Sequence, residues 1–355
     1  MKVIFRTDSS LEIGTGHVMR CLCLAEALRD IGADVEFICR QHEGHSIEKI
    51  IASGFLVHEL EPKKNSIVEG DLKHSTWLGV TQDQDADDCV DILQNYKPNW
   101  LIVDHYEIGE YWHKKLRSTC NRIMVIDDLG DRRLDCDLLL NQNYGVTKEK
   151  YQSLVNSECK MMMGTNYVLL RSEFLKWREY SLQRRRHYQV NTLLVTLGGT
   201  DPDNYTGQVL KELAKCNFSQ DMKIQVIMGE HAPHIEKVKI QALKMSVETV
   251  IRVGVDNMAE LMANSDLAIG AAGSTSWERC CLGLPTMQIV IAENQRKIAE
   301  ALARVNAVKL LKNPGDIVAS INSLDDWILQ VKNNCQKIVS GSGATMVANY
   351  LSLKN

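Results

Sequence analysis

Short apolar runs alternate with stretches of helical periodicity along most of the chain, and this alternation constrains the fold more than any other feature. A strand, a helix and a further strand form a crossover unit, so we expect the strands to run parallel in open sheets. The alternation runs from Met1 to about Asn143 and starts again at Asn191. Because 355 residues with 45% hydrophobic side chains suffice for two cores, we expect an α/β protein with two domains. The predicted bounds are residues 1–175 and 191–355, joined by a link over 176–190.

The first predicted strand leads into a loop with two glycines and then into a helix that begins near His17. Gly14 and Gly16, on either side of Thr15, let the backbone turn and let a ligand approach the main chain. The positive end of a helix favours anions and disfavours imidazolium, so a neutral His17 can accept a proton from water. The third glycine of the dinucleotide fingerprint is missing, and no Walker lysine follows. The alternative is a strand, loop and helix with a surface histidine.

Polar side chains follow three successive predicted strands. The three groups are Asp104-His105-Tyr106, Asp127-Asp128 and Asn141-Gln142-Asn143. Open α/β sheets bind ligands at the carboxyl ends of their strands, so these side chains are candidates for recognition of a polar substrate. Each group alone is equally compatible with a turn or a helix cap.

A second glycine-containing turn precedes a predicted helix in the second unit. The small residues around Gly273 leave room for a phosphate against the main-chain N–H groups of Ser274 and Thr275. Glu278, one turn into the helix, could accept hydrogen bonds from ribose hydroxyls. The alternative is a capping box over residues 275–278, which would account for Thr275 and Glu278 without any ligand.

Composition narrows the possible partners. A net charge of −4 with both signs dispersed argues against nucleic-acid binding, and no apolar run is long enough to span a membrane. Eleven cysteines without a C-x-x-C pair fit a reducing cytosol. The histidine pairs at 42 and 45 and at 231 and 234 lack further ligands, so we expect neither a metal nor another cofactor. The basic run 184–187 is interpreted as part of a solvated link, and residues 62–80 as an irregular surface insertion.

These motifs resemble a known family, the UDP-2,4-diacetamido-2,4,6-trideoxy-β-L-altropyranose hydrolases of pseudaminic acid biosynthesis. The matching segments keep the same order through most of the chain: Phe5-Arg6-Thr7-Asp8-Ser9, Ile13-Gly14-Thr15-Gly16-His17, Val103-Asp104-His105-Tyr106, Asp127-Asp128-Leu129, Asp137-Leu138-Leu139-Leu140-Asn141, Leu170-Arg171-Ser172-Glu173-Phe174, Gly198-Gly199-Thr200-Asp201 and Glu293-Asn294-Gln295. The resemblance implies the glycosyltransferase-B (GT-B) architecture, in which two Rossmann-like domains related to MurG face each other across a cleft. It also implies metal-independent addition of water at the anomeric carbon, with release of UDP.

The resemblance assigns roles to individual residues. The general base falls on His17, a cleft tyrosine on Tyr106, an asparagine near the sugar on Asn294 and a ligand-binding arginine on Arg171. The remaining expected contacts are Gly14, Thr15 and Gly16 for the substrate and Gly199, Gly273, Ser274, Thr275 and Glu278 for UDP. We expect a cytoplasmic monomer whose partner is a UDP-sugar. A MurG-like glycosyltransferase, a UDP-sugar 2-epimerase, a hydrolase for a related diacetamido sugar and a binding protein with a vestigial site are the alternatives.

Overall fold

The structure is a computed structural model that describes residues 1–62, 74, 76–186 and 189–354, apart from the side chain of Asn294. The chain divides into two compact units. The first consists of Met1–Leu170 together with Ser342–Asn355, and the second of Arg171–Gly341. Each unit has its own parallel sheet and its own core, as the alternation of strands and helices predicts.

The first unit contains a seven-stranded parallel sheet with the order β3-β2-β1-β4-β5-β6-β7. Its strands are β1 Lys2–Thr7, β2 Asp34–Arg40, β3 Leu56–Leu60, β4 Trp100–Asp104, β5 Arg122–Ile126, β6 Leu138–Asn141 and β7 Lys160–Met163. Its helices are α1 Gly16–Asp30, α2 Ile47–Ala52, α3 Gln82–Tyr96 and α4 Glu110–Leu116, and α13 Gly343–Leu353 at the end of the chain. The strand order reverses between β1 and β4, where such sheets open a crevice for ligands.

Alternate residues of the central strands enter two cores, one on each face of this sheet. Val3 and Phe5 of β1 belong to the core that includes α1, whereas Ile4 belongs to the core that includes α3 and α4. Burial on both faces explains why the strands read as continuous apolar runs in the sequence.

The second unit contains a six-stranded parallel sheet with the order β10-β9-β8-β11-β12-β13. Its strands are β8 Thr192–Thr196, β9 Lys223–Met228, β10 Glu248–Val253, β11 Leu267–Ala271, β12 Thr286–Ile289 and β13 Lys309–Leu311. Its helices are α5 Ser172–Arg184, α6 Tyr205–Leu213, α7 Ile235–Ala242, α8 Met258–Ala263, α9 Thr275–Cys281, α10 Arg296–Arg304, α11 Ile317–Asn322 and α12 Leu324–Cys335. Short 3-10 turns occupy Arg117–Thr119, Lys148–Lys150, Thr165–Tyr167, Glu293–Gln295 and Pro314–Asp316.

The division of the chain differs from the predicted bounds at both ends of the second unit. Helix α5 belongs to the second unit and begins at Ser172, within the range that the sequence assigned to the first domain. Helix α13 returns to the first unit, where Val347 and Leu351 join the same core as α1. The indole N–H of Trp100 also donates to the carbonyl of Leu351, at 3.1 Å.

The basic run of the predicted solvated link is packed at Arg185, whereas Arg186 is exposed. Arg184 is the last residue of α5, and Arg185 is only 6% exposed. The Arg185 guanidinium donates to the carbonyls of Met262 at 2.6 Å and Leu282 at 2.8 Å, which lie at the ends of α8 and α9. A buried arginine that satisfies helix C-terminal carbonyls is a structural element of the unit. His187 lies outside the described residues.

Candidate active site

The loop between β1 and α1 is ordered by its own hydrogen bonds. The Gly14 N–H donates to the carbonyl of Ser10 at 2.9 Å, and the Ser10 hydroxyl accepts from the N–H groups of Glu12 and Ile13. Gly14 has a φ of +76°, which only glycine adopts without strain. Gly16 opens α1, and a Cβ added there would meet no atom within 4 Å, so the main chain at the helix start is open to a ligand. Thr15 is the N-cap residue, and its side chain makes no capping hydrogen bond.

His17 is the second residue of α1, and Asp104, the last residue of β4, fixes its ring. Nδ1 of His17 lies 2.7 Å from Oδ1 of Asp104. We assign the proton to Nδ1 as the donor to this carboxylate, which makes Nε2 the basic nitrogen. His17 is 7% exposed and Asp104 is fully buried. The pair has the arrangement of a general base held by an orienting carboxylate.

Arg20, one turn after His17, joins the ends of two strands. Its Nε and Nη2 donate to Asp104 at 2.6 and 2.7 Å, and its Nη1 donates to Asp128 at 2.5 Å. Burial alone would raise the pKa of Asp104, yet Arg20 and His17 hold that pKa well below its usual range. Asp104 is therefore an anion at every pH at which the base could work.

Tyr106 lies against the base and is fixed through Asp128. Its hydroxyl donates to Oδ2 of Asp128 at 2.7 Å, and Asn143 donates to the other oxygen at 2.7 Å. The Tyr106 ring meets the His17 ring edge-on, with centroids 4.5 Å apart. Burial and the neighbouring Asp128 raise the pKa of Tyr106 well above its usual value, so the phenol stays protonated. The polar ends of β4, β5 and β6 thus meet, as the sequence predicts.

A buried ion network lies beside this site. Arg6 of β1 donates to Asp8 at 2.6 Å and to both oxygens of Asp85, and Arg40 of β2 donates to Asp85 at 2.6 Å. Burial lowers the pKa of His105 to about 3, so this side chain is neutral. Sequence reasoning missed Arg6, Arg20 and Asp85 as parts of the site. An arginine inside the apolar run of β1 is the signal that could have identified the network.

Trp77 adds an aromatic face at the end of the segment predicted as an insertion, of which residues 63–73 and 75 lie outside the described part. Its ring stacks on Tyr106, with centroids 5.6 Å apart and planes inclined by 22°. It meets His17 edge-on at 6.2 Å. Its indole N–H donates to the carboxylate of Glu12 in the glycine loop, at 3.1 Å. Trp77, a residue of the predicted insertion, therefore belongs to the candidate site.

In the second unit, the loop after β11 leads through Gly273 into α9. The expected capping box is not formed. The helix begins at Thr275 with Ser274 as N-cap, no side chain caps it, and the Thr275 hydroxyl accepts from Arg279 at 3.1 Å. The structural alternative for Glu278 is therefore wrong, since the helix starts one residue too early for the box.

Arg279 lies behind this loop and was missed in the sequence. It is 1% exposed, and its Nη2 donates to the carbonyl of Ala271 at 2.6 Å. A Cβ at Gly270 would lie 2.5 Å from Nη1, so glycine is required there by the close approach of the guanidinium. Burial lowers the pKa of Arg279 to about 10, which leaves it protonated at neutral pH.

The other sequence-predicted contacts of this unit are distributed around the same sheet edge. Gly199 follows β8, the strand paired with β11. Its carbonyl packs so closely on Gly229 that a Cβ added to Gly229 would lie 2.0 Å from the carbonyl oxygen. Arg171 pairs with Glu173 at 2.8 Å and donates to the carbonyl of Asp256 at 3.4 Å. Burial raises the pKa of Glu278, and the charges of Arg171 and Arg279 oppose that shift. Asn294 lies in the turn Glu293–Gln295, and its side chain is outside the described residues.

Two further searches concern the described part of the chain. It contains no group of three histidine, cysteine, aspartate or glutamate side chains arranged to hold a metal ion. No helix in it is long and apolar enough to cross a membrane.

Sequence comparison shows related proteins that match most of the chain, among them the following two. A Campylobacter jejuni protein named UDP-2,4-diacetamido-2,4,6-trideoxy-beta-L-altropyranose hydrolase is 30% identical over 86% of this chain and 97% of its own length. An uncharacterized protein of Methanocaldococcus jannaschii is 29% identical over 84% of this chain. The match spans only 57% of that longer protein.

Residues 192–349 match the glycosyltransferase family 28 C-terminal domain. Among solved structures, Acinetobacter baumannii MurG superposes with a TM-score of 0.70 over 99% of both chains at 12% identity. The predicted fold class, two Rossmann-like α/β domains of the GT-B architecture, is confirmed by this likeness and by the two parallel sheets.

Proposed function

This chain belongs to the family of the UDP-2,4-diacetamido-2,4,6-trideoxy-β-L-altropyranose hydrolase, and on that premise we propose that it is a UDP-sugar hydrolase. Water attacks the anomeric carbon of the sugar nucleotide, the bond from that carbon to the diphosphate oxygen breaks, and its electron pair leaves with UDP. The products are the free 2,4-diacetamido-2,4,6-trideoxy-L-altrose and UDP. Direct attack by water inverts the anomeric carbon.

The pairing of His17 with Asp104 is the observation that carries the proposal. Nε2 of His17 takes a proton from the attacking water, and Asp104 holds the ring and stabilises the imidazolium that forms. Such general-base assistance contributes roughly 10²–10⁴-fold in rate. UDP is a good leaving group, so an activated water and a fixed sugar are the main requirements.

We assign sugar recognition to the first unit and UDP recognition mainly to the second. The open main chain at Gly14, Thr15 and Gly16 and the phenol of Tyr106 suit hydroxyl and acetamido groups. From the family resemblance we also propose Arg171 and Asn294 as substrate contacts. The proposed UDP contacts are Gly199, Gly273, Ser274, Thr275 and Glu278. The buried cation Arg279 behind the loop supports the placement of the diphosphate there, because it gives the helix start a more positive potential.

A glycosyltransferase is the second candidate, because residues 192–349 match a domain family named for that activity. Such an enzyme transfers the sugar to an acceptor hydroxyl and releases UDP only when an acceptor is present. A 2-epimerase or a hydrolase for another diacetamido sugar would differ in the product formed.

The decisive experiment is incubation with the UDP-diacetamido sugar in H₂¹⁸O without any acceptor. We expect stoichiometric UDP and one ¹⁸O in the sugar, with no label in UDP, because water attacks carbon and not phosphorus. NMR of the first product formed should show the inverted anomer. His17→Asn is the matched control and should lower turnover at least a hundredfold while UDP affinity stays near that of the wild type. Release of UDP only after addition of an acceptor would replace the proposal with the glycosyltransferase.

A further inference from the structure

We propose that Trp77 determines which sugar the site accepts, by packing its indole against the apolar substituents of a deoxy, acetamido-bearing sugar. The inference rests on the proposed function, since it concerns the sugar half of that substrate. None of the motifs that indicate the family includes this residue, which lies within the segment 62–80 predicted as a surface insertion.

The position of Trp77 relative to the base is the first argument. Its ring stacks on Tyr106 and meets the His17 ring edge-on, with centroids 6.2 Å apart, so the indole lies beside the base. Trp77 is partly exposed, whereas the core tryptophans Trp100 and Trp112 are almost completely buried. The His74 ring also packs on the indole, with centroids 4.3 Å apart, so the part of the indole that stays exposed is the surface a sugar would contact.

Anchoring to the glycine loop is the second argument. The indole N–H donates to Oε1 of Glu12 at 3.1 Å, and the Thr76 hydroxyl donates to the same oxygen at 3.2 Å. Glu12 lies two residues before Gly14, in the loop that precedes the base. Two donors to one carboxylate and the stack on Tyr106 restrict the indole, and a preorganised ring recognises its ligand at a lower entropic cost.

The chemistry of the substrate class is the third argument. A 2,4-diacetamido-2,4,6-trideoxy sugar presents two acetamido methyls and a C6 methyl where common sugars have hydroxyls. Methyl groups pack well on an aromatic face, whereas a hydroxyl at the same place would lose its hydrogen bonds to water. An aromatic surface next to the base therefore favours this class over UDP-N-acetylglucosamine, which has hydroxyls at carbons 4 and 6.

The test measures binding in the His17→Asn background, so that no ligand is consumed and the result does not depend on turnover. Titration calorimetry gives dissociation constants for the UDP-diacetamido sugar, UDP-N-acetylglucosamine and UDP. Trp77→Ala should raise the dissociation constant of the UDP-diacetamido sugar at least tenfold and change those of UDP-N-acetylglucosamine and UDP less than twofold. Trp77→Phe keeps an aromatic face, so its dissociation constant for the UDP-diacetamido sugar should lie between that of Trp77→Ala and that of the His17→Asn protein. Trp177→Ala, which removes a partly exposed indole of the second unit, is the matched control and should change none of the three.

Two outcomes would overturn the inference. Equal weakening of all three ligands by Trp77→Ala would mean that the indole only supports Tyr106. No weakening of any ligand would mean that the sugar does not touch it. Neither outcome resembles failure of the proposed function, which would appear as the absence of acceptor-free UDP release by the wild-type protein.

Discussion

Replacement of Asp104 by asparagine tests whether the carboxylate at the end of β4 orients the base. The side chain is fully buried and accepts three charge-assisted hydrogen bonds, one from His17 and two from Arg20, all at 2.6–2.7 Å. In Asp104→Asn the new N–H₂ group would face either Nε of Arg20 or both His17 and Nη2 of Arg20, and in both orientations the anion that stabilises the imidazolium is lost. We therefore expect kcat to fall by roughly 10²–10⁴-fold, the full contribution of a general base.

The expected loss of stability follows from what Arg20 retains. Breaking one partner of a buried ion pair costs about 3–5 kcal/mol. Arg20 keeps its contact with Asp128 at 2.5 Å, so its charge remains partly compensated and the lower value of about 3 kcal/mol applies. For a unit of this size, roughly 2–4 °C of melting temperature corresponds to each kcal/mol, so we expect a decrease of roughly 6–12 °C. Activity is therefore measured at least about 20 °C below the melting temperature of the variant, roughly twice the expected decrease, so that the variant stays folded during the assay.

Asp127→Asn is the matched control for Asp104→Asn. Asp127 is also a buried aspartate at the end of a strand, but it accepts from Arg132 at 2.8 Å and from Tyr151 at 2.8 Å instead of from His17. It should lose stability and keep kcat within a few-fold. The double variant His17→Asn/Asp104→Asn should be no slower than His17→Asn, because residues that act as a unit are not additive. An equal decrease of kcat in Asp104→Asn and Asp127→Asn would refute the orienting role. A double variant whose kcat falls by the product of the two single decreases would refute it as well.

Three further outcomes are expected. Glu278→Ala should weaken the binding of UDP by about 1.5–3 kcal/mol in titration calorimetry, the scale of a hydrogen bond to a charged group. The control Glu236→Ala, which changes an exposed glutamate, should leave the binding of UDP unchanged. Unchanged UDP affinity in Glu278→Ala would remove the ribose role. Turnover should survive EDTA, and its loss with recovery on addition of Mg²⁺ or Mn²⁺ would reveal a metal site that the described residues do not show. Glu107→Gln should raise the melting temperature at pH 8 and have little effect at pH 4. Burial raises the pKa of Glu107 from 4.5 to about 7, so the unfolded chain releases this proton at a lower pH than the folded one, and the carboxyl destabilises the fold increasingly between these two values. Equal shifts at both pH values would contradict this reasoning.

The sequence predicted the strands well because burial on both sheet faces makes them continuous apolar runs. The restart of the alternation at Asn191 coincides with the second sheet, whose first strand begins at Thr192. The polar groups after β4, β5 and β6 also meet as predicted, since parallel strands bring their carboxyl ends to one edge. Strands β7 and β13, at four and three residues, are too short for a run or an alternation to identify them in the sequence.

The partners within the site could not be predicted, because they depend on contacts between residues far apart in the sequence. Arg20 looks like a solvent-facing position of an amphipathic helix, yet it bridges carboxylates 84 and 108 residues away. Arg185 lies in a run of charges that normally indicates a solvated segment, yet its donors reach carbonyls from two other helices. Helix α13 carries an apolar face that either unit could bury, and nothing local to it specifies the first. Each error has the same cause: local composition does not reveal which distant group a charge will meet.

The buried arginines of the two units differ in what compensates their charge, and this difference supports the proposed division of labour. In the first unit, Arg6 and Arg20 are paired with buried carboxylates, so the candidate site near His17 gains rigidity without a strong positive field. In the second unit, the hydrogen bonds of Arg279 go to a neutral carbonyl and to hydroxyls. Burial lowers the pKa of Arg279 because this charge is poorly compensated. A diphosphate at the start of α9 would supply the missing negative charge, whereas beside the first unit's carboxylates it would be repelled.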